Sequence, residues 1–208
     1  MKKTLQGIVI ASVLASGLTC GSVLADENEF EVSANVGIFS QYIWRGWSLN
    51  DNPSLQGGFD VAYGNFTAGI WGGEDRTLGT EIDFYVGWGK SFHDYFAVDV
   101  GFVQYRFDKE SVELDEVHLT LDFTVVSVTY HDGEADYDYL EINKGFELGE
   151  QFSLDLHYGQ EGNHYNDWYD YGVTLSYAFN DSYTASVGYS DKENNDEELY
   201  FSLVGTFE

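Results

Sequence analysis

Residues 81–88 read Glu81-Ile82-Asp83-Phe84-Tyr85-Val86-Gly87-Trp88. Every second residue is large and apolar, and acidic, phenolic or glycine residues lie between them. Successive side chains on a strand point to opposite faces, so this spelling predicts a β-strand with one apolar face and one polar face. The same period runs outward in both directions. Upstream it appears in Phe30-Val32-Ala34-Val36-Ile38, in Leu55, Phe59, Val61 and Tyr63, and in Phe66-Ala68-Ile70. Downstream come Phe96-Val98-Val100-Phe102, Val117-Leu119-Leu121-Phe123 and Val126-Val128-Tyr130, then a weaker segment over Tyr137–Phe146. Phe152-Leu154-Leu156-Tyr158, Tyr171-Val173-Leu175-Tyr177-Phe179, Tyr183-Ala185-Val187-Tyr189 and Leu199-Phe201-Leu203 complete the set.

These are twelve segments of roughly eight to eleven residues, the length a tilted strand needs to cross a bilayer. Their connections alternate. Short ones fall at Gly64-Asn65, Ser91–Asp94, Thr124, Leu148–Glu150 and Asn180-Asp181. Longer, more polar ones fall at Trp47–Ser54, Gly73–Gly79, Asp108–Asp115, Asp132–Asp136, Gly162–Trp168 and Asp191–Glu198. Period two alone also fits a water-soluble barrel or sandwich. The even segment count, the short–long alternation and the export signal described below favour a transmembrane antiparallel up-and-down β-barrel, with short periplasmic turns and longer external loops. Aromatics near segment ends, among them Tyr42, Trp44, Trp47, Tyr63, Phe66, Trp88, Phe92, Tyr95, Phe123, Tyr130, Phe152, Tyr169, Phe179 and Tyr183, are expected in the interfacial girdles of such a barrel.

The amino terminus has the three parts of an export signal: Lys2-Lys3, an apolar run from Gly7 to Leu18, and Val23-Leu24-Ala25 before Asp26. The apolar run is too short to span a bilayer as a helix. Residues 1–25 are therefore expected to be a cleaved signal peptide, and residues 26–208 the barrel domain. The single cysteine, Cys20, falls in the segment removed, so neither disulfides nor thiolate metal sites are expected.

Acidic residues number 36 against nine Lys and Arg, a formal net charge of −27. Phosphate polyanions would be repelled, which excludes nucleic acid as a partner. Acidity alone can mean disorder, but 16 Tyr, 15 Phe and 23 Gly with one Pro suit strands and their bends instead.

If the apolar set faces lipid, the alternate set faces the lumen. That places Asp60, Glu81, Asp83, Asp99, Glu116, His118, Asp122, Glu141, Asp155, His157 and Asp170 inside as candidate pore-lining residues. Arg45 has the same parity and is expected to pair with Asp60, Glu81 or Asp83. Gly58, Gly69, Gly87, Gly89, Gly101, Gly159, Gly172 and Gly188 share the inner face and are expected to leave space there. A ring of carboxylates with few bases would prefer cations.

Residues 40–60, SQYIWRGWSLNDNPSLQGGFD, resemble the opening signature of the TorF-family porins, also catalogued as the Gcw_chp family of bacterial proteins. The resemblance rests on Trp44-Arg45-Gly46-Trp47-Ser48, Asp51-Asn52-Pro53 and Gln56-Gly57-Gly58-Phe59-Asp60. Ala68-Gly69-Ile70-Trp71-Gly72 and Glu81–Gly87 extend it, and the rest of the chain matches in strand spacing. It implies an outer-membrane channel and supplies no catalytic residues.

The expected function is passive diffusion of small cationic or neutral solutes through a Gram-negative outer membrane. Expected partners are outer-membrane lipids, lipopolysaccharide and the barrel-assembly machinery; monomer and homo-oligomer both stay open. No cofactor or resident metal is expected. A lipid-modifying enzyme is disfavoured because His93, His118, His131, His157 and His164 stand in no catalytic spacing. A surface-binding or structural barrel acting through acidic loops such as 132–136 and 191–198 is the other alternative, although neither loop has the EF-hand pattern.

Overall fold

The computed structural model describes residues 30–109, 111–134, 137–162 and 168–208. Residues 1–25, expected to be the export signal, with Cys20 among them, and His164 lie outside the described residues. The strands run β1 Phe30–Phe39, β2 Tyr42–Trp44, β3 Trp47–Asn50, β4 Ser54–Tyr63, β5 Phe66–Asp75, β6 Gly79–His93 and β7 Phe96–Phe107. They continue as β8 Glu113–Phe123, β9 Val126–Gly133, β10 Tyr137–Glu147, β11 Phe152–Glu161, β12 Trp168–Asn180, β13 Tyr183–Lys192 and β14 Glu198–Phe207.

Twelve of these strands close into a barrel in the order β1-β14-β13-β12-β11-β10-β9-β8-β7-β6-β5-β4, and β2 and β3 form a separate two-stranded hairpin. Each barrel strand pairs antiparallel with its chain neighbour, and β1 closes the ring on β14 from Ala34↔Phe207 to Phe39↔Ser202. Closure leaves the barrel without a sheet edge, so every barrel strand has backbone partners on both sides. Two register shifts, at Ser91/His93 and Ala178/Asn180, sit beside short turns, where a bulge bends a strand into its turn.

The twelve alternating segments correspond to the twelve barrel strands, including the weak one, which is β10. Their ends extend further than the periodicity alone indicates. The connection expected over Gly73–Gly79, for example, shrinks to residues 76–78 because β5 continues to Asp75 and β6 starts at Gly79. Glu74 and Thr80 still pair across this end, so the ladder carries the strands past the last apolar residue.

Side chains sort as the alternation requires. On β6, Ile82, Phe84 and Val86 are exposed on the outer face while Glu81, Asp83 and Tyr85 are buried. The outward belt includes Phe30, Leu55, Phe66, Tyr95, Phe102, Leu119, Leu156, Leu175, Phe201 and Leu203, contributed by strands all round the ring. Apolar surface that continuous is solvated by lipid rather than water.

Four of the inner glycines, Gly69, Gly101, Gly159 and Gly188, do not leave open space. A Cβ at Gly69 would overlap the Tyr85 ring, one at Gly101 the His118 ring, and one at Gly188 the Tyr200 ring. In each case the ring belongs to the directly paired residue of the next strand. At Gly159 the intruder would be the Tyr139 hydroxyl, reached diagonally from β10. Absence of a side chain on one strand thus lets a large ring lie flat along the wall. Gly159→Ala is expected to push Tyr139 off Asp170 and lower stability by about 1–3 kcal/mol, read as a shifted urea midpoint in lipid vesicles.

Candidate functional site

The long connection between β1 and β4 folds into the barrel instead of standing outside it. Its feet are tied to the rim. Ser40 N–H donates to the Phe201 carbonyl at 2.8 Å, Gln41 donates to Glu198 at 2.9 Å, and Arg76 N–H donates to the Leu49 carbonyl at 2.8 Å. Between them β2 and β3 pair from Tyr42↔Asn50 to Trp44↔Trp47 around Arg45-Gly46. Both turn residues have positive φ, 48° and 77°, as a two-residue type I′ hairpin turn requires. Glycine takes that conformation freely. Arg45 takes it at a cost of about 1 kcal/mol or more that its contacts must offset.

Those contacts lie on the wall opposite the hairpin's base. Arg45 is only 5% exposed and grips Glu116 of β8 with both terminal nitrogens, at 2.8 and 2.9 Å. It also donates to the Tyr137 hydroxyl of β10 at 2.7 Å. Its guanidinium lies over the rings of Tyr139, Trp44 and Tyr137, at 4.4, 4.6 and 5.3 Å from their centroids. In the closed ring, β9 and β10 stand across from the β1–β4 junction, so the hairpin bridges the lumen.

This corrects the expected pairing of Arg45. It is not a wall residue, and its carboxylate is Glu116 rather than Asp60, Glu81 or Asp83. Strand parity does not apply to a residue at the tip of an inserted turn. Tyr42, Trp44 and Trp47 likewise leave the expected girdle. Tyr42 packs on inward Trp71 at 5.5 Å, Trp44 stacks on Tyr137 at 6.2 Å, and Trp47 meets Trp168 edge-on at 6.3 Å. The remaining girdle candidates, such as Tyr63, Phe66, Tyr95, Phe152, Phe179 and Tyr183, are exposed on the outer face near strand ends.

The two sides of the bridge differ in that one holds carboxylates and the other a lysine among carboxylates. On one side stand Asp75, Glu81 and Asp83, with Tyr42 above them. On the other, Lys192 of β13 is held between Trp47 and Trp168, its ammonium 4.0 and 4.1 Å from the two ring centroids. Lys192 is buried, and Gly46 packs so closely against it and Asp170 that a Cβ there would collide with both.

Beneath the arginine runs a continuous polar network. His131 of β9 lies 2.8 Å from Glu116 and 3.4 Å from Glu141. His157 of β11 lies 2.7 Å from Asn143, 2.9 Å from Asp170 and 3.9 Å from Glu141. The Tyr139 hydroxyl donates to Asp170 at 2.9 Å, and Tyr105 donates to Glu116 at 3.2 Å. His118 pairs with Asp99 at 2.9 Å. Lower in the barrel, Tyr85 donates to Asp60, and Asp155 is buried on the inner face. Asp122 has inward parity but is exposed near the short-turn rim.

The structure therefore joins Arg45, Glu116, Glu141, His157 and Asp170 in one network and leaves Asp60, Asp122 and Asp155 apart from it. His131 belongs to that network. Its position next to outward Tyr130 makes its inward parity readable. Tyr137, Tyr139, Tyr105, Trp71, Trp168 and Lys192 also face inward, and only strand register brings them to the hairpin.

A closed twelve-stranded antiparallel barrel with an apolar outside, a charged inside and a hairpin across the lumen is the architecture of an outer-membrane porin. Residues 25–206 match the model of the Gcw_chp family, described as bacterial proteins of unknown function, and the chain belongs to that family. No curated protein matches it in sequence. Among solved structures it resembles the KdgM porin in complex with disordered oligogalacturonate, at TM-score 0.65 and 9% identity over 85% of this chain and 98% of that one. The NanC porin superposes at TM-score 0.59 and 11% identity over 86% of this chain and 100% of that one. The outer-membrane protein Omp33 of Acinetobacter baumannii does so at 0.54 and 7% over 88% and 99%. At these identities the likeness establishes the fold.

Proposed function

We propose that this chain is a TorF-type porin, a non-enzymatic outer-membrane channel that passes small solutes and prefers cations. The observation carrying the reading is the division of the wall: lipid-compatible side chains outside, and inside a lumen with Asp60, Glu81, Asp83, Asp99, Glu116, Glu141, Asp155 and Asp170 against few bases. Arg45 and Lys192 are the basic groups at the bridge, and both are covered, Arg45 by Glu116 and Lys192 by two indole rings. Permeating ions therefore meet mainly carboxylate potential. His118, His157 and Asp122 complete the pore-lining set in this reading.

The role of the β2–β3 hairpin is to narrow the channel at the end carrying the longer connections, which in this reading is the external end. Twelve strands enclose more space than eight, whose side chains fill the interior, so an inserted segment is the means of restricting flow. The signal peptide delivers the chain to the periplasm, the barrel-assembly machinery inserts it, and lipid and lipopolysaccharide surround it.

Mature protein refolded into planar bilayers is expected to show discrete conductance steps, with a cation-selective reversal potential under a salt gradient. No steps at any applied voltage would reject the channel. Steps with anion selectivity would retain the channel and reject the role given to the carboxylates.

A further inference from the structure

Most inward carboxylates near the bridge are committed. Glu116 accepts from Arg45, and Asp75 accepts the Thr77 and Leu78 N–H groups at 2.6 Å each, holding the β5–β6 turn. Asp170 is held by His157 and Tyr139. Glu81 and Asp83 differ. Asp83 is 1% exposed, and neither of its oxygens has a hydrogen-bond partner. Glu81 is 3% exposed; the Tyr42 hydroxyl donates to it, and its Oε2 has no partner. Neither residue takes part in any ion pair among the described residues.

The two are successive inward residues of β6, so their carboxylates share one face of one strand. Trp71 and Tyr105 flank Asp83 as its direct partners on β5 and β7, and Tyr42 of the hairpin covers the pair. Two like charges side by side on the lumen wall, with three unpartnered oxygens, require a compensating cation or a proton. Glu116 has Arg45, Asp170 has His157 and Tyr139, and Asp75 has two backbone N–H groups. For Glu81 and Asp83 the described residues supply no such cation.

We propose that Glu81 and Asp83 bind a divalent cation of the calcium type in the lumen, on the acidic side of the hairpin. Carboxylate oxygens are hard ligands, and calcium accepts a shell completed by water. No group of three or more metal-ligating residues occurs among the described residues. Two carboxylates with lumen water make a weak, exchangeable site, with dissociation in the range of about 0.1–1 mM known for weakly liganded calcium. Such a site is a stopping point for permeating cations, not a resident cofactor. That role rests on the channel reading above, whereas binding is measured without conduction.

The experiment uses refolded mature protein in detergent and compares thermal unfolding in about 5 mM CaCl2 with NaCl of equal ionic strength. Wild type is expected to gain about 5 °C from calcium, by ligand binding to the folded state. Asp83→Asn and Glu81→Gln should each lose most of that gain, while Asp196→Asn in an exposed loop keeps it. Terbium luminescence, sensitised through Trp71 and Tyr42 and displaced by calcium, supplies a second readout. No calcium gain in wild type would overturn the proposal, as would an undiminished gain and undiminished luminescence in either variant. If Asp83→Asn does not refold, Glu81→Gln alone decides. Calcium binding without conductance would reject only the channel, and conductance without carboxylate-dependent binding would reject only this site.

Discussion

Excising residues 41–52 and joining Ser40 to Pro53 through Asn-Gly is expected to raise single-channel conductance several-fold. The barrel should survive the excision because its ladder does not use the removed residues: β1 pairs β4 up to Phe39↔Ser54, so a short turn can close the gap. What disappears is the bridge that reaches Glu116 and Tyr137 on the far wall. Arg45 goes with it, leaving Glu116 uncovered, so cation selectivity should sharpen as conductance rises. Single-channel recording of the excised and intact proteins in the same lipid checks both effects. An unchanged unitary conductance would mean that flow is limited elsewhere, and the assignment of the hairpin as the constriction would fail.

The second large effect belongs to the ion pair at the hairpin tip. Arg45 and Glu116 are each 5% exposed and meet through two hydrogen bonds, so removing Arg45 takes the guanidinium from a buried carboxylate and leaves it only His131 and Tyr105. Arg45→Ala is expected to cost about 3–5 kcal/mol, the range for breaking a buried pair from one side. Arg45→Lys should recover only part of this, because an ammonium cannot reproduce the two-pronged grip or the stacking on Trp44 and Tyr139. Adding Glu116→Gln to Arg45→Ala should relieve much of the loss, since the neutral amide no longer carries a stranded charge. Urea unfolding in vesicles, followed by tryptophan fluorescence, reads the stability of all four proteins. Conductance traces read whether the hairpin stays docked. Arg45→Ala with wild-type midpoint and wild-type conductance would show that the pair does not hold the bridge.

These two results probe a part of the molecule that differs in kind from the wall. The wall was legible in the chain because strand alternation is local. Ile82, Phe84 and Val86 face outward and Glu81, Asp83 and Tyr85 inward for reasons contained in a few consecutive residues. The same local rule placed His118, His157 and Asp170 on the inner face, and it would also have placed His131 there. The strand count followed, and with it the direction of the lumen. The rule says nothing of how inward side chains meet. Gly69, Gly101, Gly159 and Gly188, expected to leave space, are covered by rings of the neighbouring strand, since what lies over a glycine depends on register and not on its own position.

The sequence by itself determined an antiparallel barrel with an apolar outside and an acidic inside, because period two, turn residues and connection length are written into short stretches. Its 40–60 segment also carried the family. Only the tertiary structure decided that this segment turns inward. Arg45 finds Glu116 at 71 residues' separation and Tyr137 at 92, and Trp47 finds Trp168 and Lys192 only after the ring has closed. A buried ion pair needs a partner that removes both charges from water together, and no local pattern states which distant strand will provide it. For the same reason the lack of a basic partner for Glu81 and Asp83 shows only in the closed ring, among the described residues.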